Sequence, residues 1–345
     1  MRLKTEFAPD FQPSKILIIR FARLGDIILL LPAIKALHRS FPKARIDFLL
    51  GHRCAPVLEV CNAIGEVISV NRVAMRDGHK LRAIRDIWRL AREIRGRRYD
   101  LVIDFHSFRE TNLLAWYSRA PYRLALKRTH GAYLPFCFNL GPVVEDKSKH
   151  VAVVFLSVLE QLGLQSDIDS DLSLDLRADI FQAADHFLKD RGVKEGDLLV
   201  GLNVGAGASD RLWPWENFAQ LGKQLTARFN SRIILFNGPG EEEISGRIVA
   251  KVPEIRPIVA GNLSMKEVAG LMQRCRLLVS NDTGPMHLGP AVGVPTLGLF
   301  SVGFPQHYQP LGRFSRFIKR VPIKNLEVDE VFQTAEEMLR IIGEP

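Results

Sequence analysis

Twice in this chain a short, continuously apolar run empties into a glycine-bearing loop and then into an apolar helical stretch, and nothing else restricts the fold as strongly. The first instance is Lys15–Arg20 (KILIIR), followed by FARLGD and a helical stretch from Ile27 to Leu37. The second is Leu198–Asn203 (LLVGLN), followed by the loop Val204–Ala208 and a helix from about Trp215 to Phe229. Runs without polar alternation suit parallel strands buried on both faces. Others of this kind lie at Arg45–Leu50, Val67–Val70, Leu101–Phe105, Ile233–Asn237, Ile255–Ile258, Leu277–Ser280 and Thr296–Phe300, with helical patterns between most of them. This alternation predicts an α/β chain built of βαβ units, and 345 residues exceed one compact domain. The expected break is near Asp167–Leu176. It gives a first Rossmann-like domain over 1–172, a second over 173–322, and a last helix, Val328–Ile342, within 323–345. By analogy with two-domain enzymes of this shape, that helix is expected to return to the first domain.

Composition removes several classes of function. No apolar run approaches the roughly 20 residues of a membrane-spanning helix, and the longest, Ile27–Ile34, carries Pro32. The first fifteen residues lack a secretory apolar core, so a cytoplasmic location is expected. Four cysteines without a CxxC pair support neither a disulfide framework nor a zinc site. Asp167-Ile-Asp169-Ser-Asp171 lacks the turn glycine and closing glutamate of a calcium loop and reads as an acidic linker. Residues 1–150 hold 27 Lys+Arg against 14 Asp+Glu, whereas the remainder hold 20 against 24. A basic first half implies an anionic partner there. No nucleic-acid recognition motif accompanies the basic residues, which leaves an anionic glycolipid, saccharide or membrane surface. Within Leu81–Ile94, Arg82, Arg85, Arg89 and Arg92 share one helical face, and Ile84, Ile87, Trp88, Ala91 and Ile94 the other. Such a helix is either a solvated surface element or a peripheral membrane contact.

Four segments can carry chemistry. In SNDTGPMHLGPAVGVPTLGLF, Ser280 to Phe300, a strand ends and Asp282-Thr283-Gly284 turn into a short helix with Pro285 in its first turn. Free amides and a helix dipole at the end of a parallel strand suit a phosphate, and Thr283 and His287 can add donors. The plainer alternative is Asp282 as N-cap and His287 as a core residue. In Arg20-Phe-Ala-Arg-Leu-Gly-Asp26, Gly25 permits a tight turn, and Asp26 is either an N-cap or a general base for a hydroxyl nucleophile. Arg20 and Arg23 flank it, able to bind an anionic acceptor. Gly205–Trp215 (GAGASDRLWPW) places Arg211 beside glycines that admit a ligand to the backbone. It fits neither GxGxxG nor a Walker A motif. In Asn237–Glu243 (NGPGEEE), Glu241 either opens a helix or accepts from ribose hydroxyls.

Taken together and in this order, KILIIRFARLGDIILLLPAIKAL, YDLVID, GLNVGAGASDRLWPWENFAQL, GPGEEE and SNDTGPMHLGPAVGVPTLGLF resemble glycosyltransferase family 9, the ADP-heptose:lipopolysaccharide heptosyltransferases. The resemblance implies two Rossmann-like domains facing across a cleft, the GT-B architecture. It also implies inverting transfer from a nucleotide-diphosphate sugar, ADP-heptose, with no metal and no resident cofactor. On this resemblance Asp26 is the catalytic base, with Arg20, Arg23 and Gly25 at the acceptor. Asp282, Thr283, Gly284 and His287 hold the diphosphate, with Arg211 standing where the family usually has a lysine. The backbone near Leu263 meets adenine and Glu241 the ribose. An epimerase or hydrolase of the same architecture, or a non-catalytic sugar-nucleotide or glycolipid binder, is the rival reading.

Overall fold

A computed structural model describes residues 11–71, 80–164, 172–174 and 176–343. The acidic DID segment therefore lies outside the described residues. The chain divides into two compact units between residues 171 and 172.

The first unit contains β1 (Lys15–Arg20), α1 (Leu24–Ile28), α2 (Leu31–Ser40), β2 (Arg45–Gly51), β3 (Glu66–Val70), α3 (Lys80–Arg97), β4 (Leu101–Asp104), α4 (Arg109–Tyr117), β5 (Tyr122–Lys127), β6 (Val143–Val144) and α5 (Val151–Glu160). Its six strands run parallel in the order β3-β2-β1-β4-β5-β6. The order reverses between β1 and β4, where successive crossovers pass to opposite faces and leave a crevice at the strand ends. The continuous apolar runs follow from this burial: Ile16, Leu17, Ile18 and Ile19 are wholly buried. The single helix expected over Ile27–Leu37 is two, α1 and α2, with Leu29 and Leu30 between them and Pro32 near the start of the second.

The second unit repeats the plan with α6 (Ala178–Lys189), β7 (Leu199–Asn203), α7 (Trp215–Phe229), β8 (Arg232–Phe236), α8 (Glu242–Lys251), β9 (Ile258–Ala260), α9 (Met265–Gln273), β10 (Leu277–Asn281), α10 (Gly284–Ala291), β11 (Thr296–Phe300), α11 (Pro305–Tyr308), β12 (Arg316–Lys319) and α12 (Val328–Gly343). The parallel strand order is β12-β11-β10-β7-β8-β9, so its reversal falls between β7 and β10. The strand expected at Ile255–Ile258 starts only at Ile258, because Pro253–Ile255 form a short 3-10 turn.

The tail helix α12 corrects one expectation. Val331, Ala335, Met338 and Leu339 enter the same apolar core as Leu202, Trp213, Phe218 and Leu225 of the second unit. The Trp213 indole N–H donates to the Leu326 carbonyl just ahead of it, at 2.9 Å. Its apolar stripe is thus buried within the second unit, so the analogy that returned this helix to the first unit does not hold.

Candidate active site

In the first unit, β1 and β4 deliver their C-terminal ends side by side, Ile19 pairing with Asp104. Arg20 closes β1 with its side chain only 4% exposed. Nη1 donates to the Phe105 carbonyl at 2.6 Å, Nη2 donates to Asp26 Oδ1 at 2.8 Å, and the group sits 4.9 Å from the centre of the Phe155 ring. One buried cation therefore ties the loop after β1 to the loop after β4. Asp26 occupies the third position of α1, whose N-cap is Arg23 in extended backbone, so its carboxylate is not the helix cap. Its side chain is 20% exposed. Beside it, Cys54 Sγ donates to the Ala22 carbonyl at 3.3 Å. Burial, helped by the Asp26 charge, pushes this thiol up to about 11, which keeps it neutral near pH 7.

Of the two arginines expected at an acceptor, the structure turns Arg20 inward and leaves Arg23 exposed. Gly25 is buried. The loop after β4 is braced by Asp104, which is wholly buried and accepts from the amides of His106 (2.9 Å) and Ser107 (2.8 Å) and from Asn112 Nδ2 (2.8 Å). Burial raises the Asp104 carboxyl, and these donors pull it back. Ser107 takes a left-handed φ of 56°, a turn the brace stabilises.

In the second unit, the ends of β7 and β10 meet in the same way, Asn203 pairing with Ser280. Asn203 Nδ2 donates to Ser280 Oγ and to Thr283 Oγ1, both at 3.0 Å. Thr283 is the N-cap of α10, and Pro285 lies in the first turn, where it has no amide to leave unpaired. Gly284 and Pro285 are half-buried, so solvent reaches the helix start, whereas His287 is 5% exposed and lies one turn further in. Asp282 does not cap the helix: its Oδ2 lies 3.3 Å from Arg211 Nη1. Arg211, 31% exposed, thus spans from the loop after β7 to the loop after β10. First-turn amides, a hydroxyl and a guanidinium converge where a parallel sheet reverses, which suits a phosphate or diphosphate.

The neighbouring strand end adds a carboxylate. Glu241 precedes α8, accepts from the Gly238 amide at 2.6 Å and lies directly over Gly205, where a Cβ would overlap its carboxylate. Leu263 sits half-buried in the loop between β9 and α9, after Asn262 with a φ of 55° and before Ser264, which caps α9. Arg211, Glu241, Leu263, Asp282, Thr283, Gly284 and His287 therefore all lie at or just beyond the C-terminal ends of β7–β10.

Residues 87–329 match the model for glycosyltransferase family 9 (heptosyltransferase). The chain belongs to glycosyltransferase family 9. A member of this family is a glycosyltransferase, and the fold agrees: the family 9 glycosyl transferase from Veillonella parvula superposes with a TM-score of 0.83 at 27% identity, covering 97% of this chain and 99% of that one. Lipopolysaccharide heptosyltransferase 3 of Escherichia coli K12 is 26% identical over 284 residues, 80% of this chain and 79% of its own length. The structure of E. coli heptosyltransferase WaaC with ADP superposes with a TM-score of 0.75 at 20% identity over 94% of this chain and 99% of that one.

For this glycosyltransferase, sequence reasoning missed the residues that hold the site rather than form it. Asn203 is read from the sequence only as a strand end, and Asn281 lies one residue beyond the strand expected at Leu277–Ser280, which in the structure extends to include it. Asn281 Oδ1 accepts from the Trp213 amide at 3.1 Å, and Nδ2 donates to the carbonyls of Val204 and Gly205 at 3.2 Å. An amide ending a strand that is otherwise apolar was the available signal, since a buried amide must spend its donors locally.

Proposed function

We propose that this glycosyltransferase moves heptose from ADP-heptose to a lipopolysaccharide core or related anionic glycolipid, with inversion at the anomeric carbon and without a metal. The observation that carries the reading is Asp26: a part-exposed carboxylate with one oxygen clamped by a buried arginine, at the crevice of a Rossmann-like sheet. Asp26 accepts the proton of the acceptor hydroxyl while that oxygen bonds to the anomeric carbon. The bond from the anomeric carbon to the β-phosphate oxygen breaks, and ADP leaves with its electron pair. Arg211, Thr283 and the amides at the start of α10, with His287 behind them, take up the charge that develops on the diphosphate, each such donor contributing a few kcal/mol (roughly 2–4). Glu241 receives ribose hydroxyls, and the backbone at Leu263 meets adenine. Arg23 and the first turn of α1, which contains Gly25, face the acceptor, and Arg20 positions the base.

The E. coli relative named as a lipopolysaccharide heptosyltransferase and the E. coli neighbour solved with ADP support this choice of donor and acceptor. The test is turnover with a panel of nucleotide-diphosphate sugars and a delipidated core acceptor. Transfer from ADP-heptose that survives a chelator is expected. Product formed without acceptor would indicate a hydrolase or epimerase, and activity lost to chelator and restored by a divalent ion would overturn the metal-free step.

A further inference from the structure

The apolar face of α3 is only half covered. Leu90, Ala91 and Ile94 in its second half are buried, whereas Ile84, Ile87 and Trp88 are 53%, 42% and 53% exposed. The exposure continues onto the next elements, with Leu113 and Trp116 of α4 at 45% and 47% and Phe136 at 57%. Ring contacts link the elements that carry them: the Trp88 ring of α3 meets Tyr117 of α4 edge-on at 5.8 Å, and Trp116 of α4 meets Phe136 at 6.4 Å. Contiguous exposed aromatics of this kind mark an interaction site rather than scattered surface apolarity.

Charge identifies the occupant. The sequence of α3 carries seven Lys and Arg against Asp86 and Glu93, and Glu93 is engaged by Arg97 at 2.6 Å. Arg85, Arg89 and Arg92, on the polar face that borders the apolar one, are exposed. Arg95 stacks on Tyr117 at 5.1 Å and, with Arg98 and Arg119, lines an open hollow of about 320 Å³. We infer that the first unit docks on an anionic phospholipid bilayer through this face, with the aromatic and aliphatic side chains at the headgroup–acyl boundary and the arginines on lipid phosphates. Trp at an interface and cationic stems that reach outward are the side-chain types this environment selects. A second copy of the chain suits the face poorly, because a two-fold contact would bring each arginine row toward its own copy. The inference rests on the glycolipid-acceptor reading only for its purpose, since an acceptor with a lipid anchor lies at such a surface.

The test is co-sedimentation of the full chain with vesicles of phosphatidylglycerol and phosphatidylcholine, and with phosphatidylcholine alone, without donor or acceptor. Binding to the anionic vesicles that weakens with salt is expected. A variant carrying Trp88→Ser, Trp116→Ser and Phe136→Ser should bind them at least about tenfold less, with its Tm close to that of the parent. Arg89→Glu with Arg92→Glu, both exposed, should weaken binding in a form that keeps the aromatic surface. Absence of binding to anionic vesicles, binding by both variants as tight as the parent's, or a dimer in sedimentation velocity that the triple variant dissolves would overturn the inference. Transfer to a water-soluble acceptor fragment reads the proposed reaction separately, so failure of one is not failure of the other.

Discussion

Arg20 Nη2 donates to Asp26 Oδ1 over 2.8 Å, from a guanidinium almost wholly withdrawn from solvent. The contact fixes one carboxylate oxygen, while Oδ2 has no hydrogen-bond partner among the described residues. A base that must approach a hydroxyl needs one oxygen held and the other open. Asp26→Asn keeps the shape and the bond geometry but cannot take the proton. Transfer should fall about 10²–10⁴-fold in kcat, with ADP affinity nearly unchanged in titration calorimetry. Full transfer by this variant would remove Asp26 as the base.

Arg20 itself should show a different pattern. Arg20→Met leaves the Phe105 carbonyl and Asp26 without their donor, one of them buried. The expected loss is about 3 kcal/mol of stability, read from denaturant midpoints. Arg20→Lys retains the charge but not the fork that reaches both acceptors. It should recover part of the stability while kcat stays low and the donor KM unchanged, the signature of a positioning residue.

Asn281 ties three backbone groups of the second unit to one buried side chain. Asn281→Ala deprives the Trp213 amide and two carbonyls of their partner, and a cost of about 2–4 kcal/mol is expected in chemical unfolding. Asn281→Asp keeps an acceptor for the Trp213 amide yet sets an oxygen against the carbonyls of Val204 and Gly205. It should rescue little. Stability of Asn281→Asp equal to the parent would show that the assigned amide orientation is wrong.

How much of this was legible depended on whether a signal was local. Lys15–Arg20, Thr296–Phe300 and Trp215–Phe229 coincide with β1, β11 and α7, because apolar runs and caps lie in contiguous sequence. β5 (YRLALK) and β12 (RFIK) were not expected, since charged residues cut their apolar runs short and their pairing is decided by distant neighbours. The site positions were visible as residue types, but roles depended on long-range contacts. Nothing in FARLGD says that Asp26 stands third in its helix, nor that Arg20 reaches Phe105 across 85 residues. The helical pattern Leu81–Ile94 was legible, whereas the exposure of half its apolar face required the packing of its neighbours.

An acid-sensitive cluster sits at the edge of the first sheet, away from the strand ends that carry Asp26. The Arg97 guanidinium, with help from Arg45, holds the Glu66 carboxyl down from 4.5 to about 2. A depressed carboxylate adds stability that is fully present above its ordinary value and is lost as pH falls through the folded one. The window is therefore pH 4.5 down to about 2. Because the Glu66 side chain is 42% exposed, solvent screening limits the effect to about 1 kcal/mol or less. Urea midpoints compared at pH 5 and pH 3 should fall less steeply for Glu66→Gln than for the parent. An unchanged slope would place the acid sensitivity elsewhere.

Gly205 and Glu241 offer a test of the ribose contact that leaves the fold intact. The Glu241 carboxylate occupies the space above Gly205, anchored by the Gly238 amide at 2.6 Å. Gly205→Ala forces that carboxylate aside, and because Glu241 ends in a rotatable, half-buried group the stability cost should stay near 1 kcal/mol. If Glu241 accepts the ribose hydroxyls, ADP affinity should drop about tenfold, or 1.4 kcal/mol. Glu241→Ala alone should weaken ADP by a similar factor, and the double variant should be no worse than either single one, because both changes remove the same contact. Additive losses would mean that Gly205 acts through its own backbone approach to the nucleotide. Unaltered ADP affinity in Glu241→Ala would take the carboxylate out of the donor site and leave it the local role of holding the Gly238 turn.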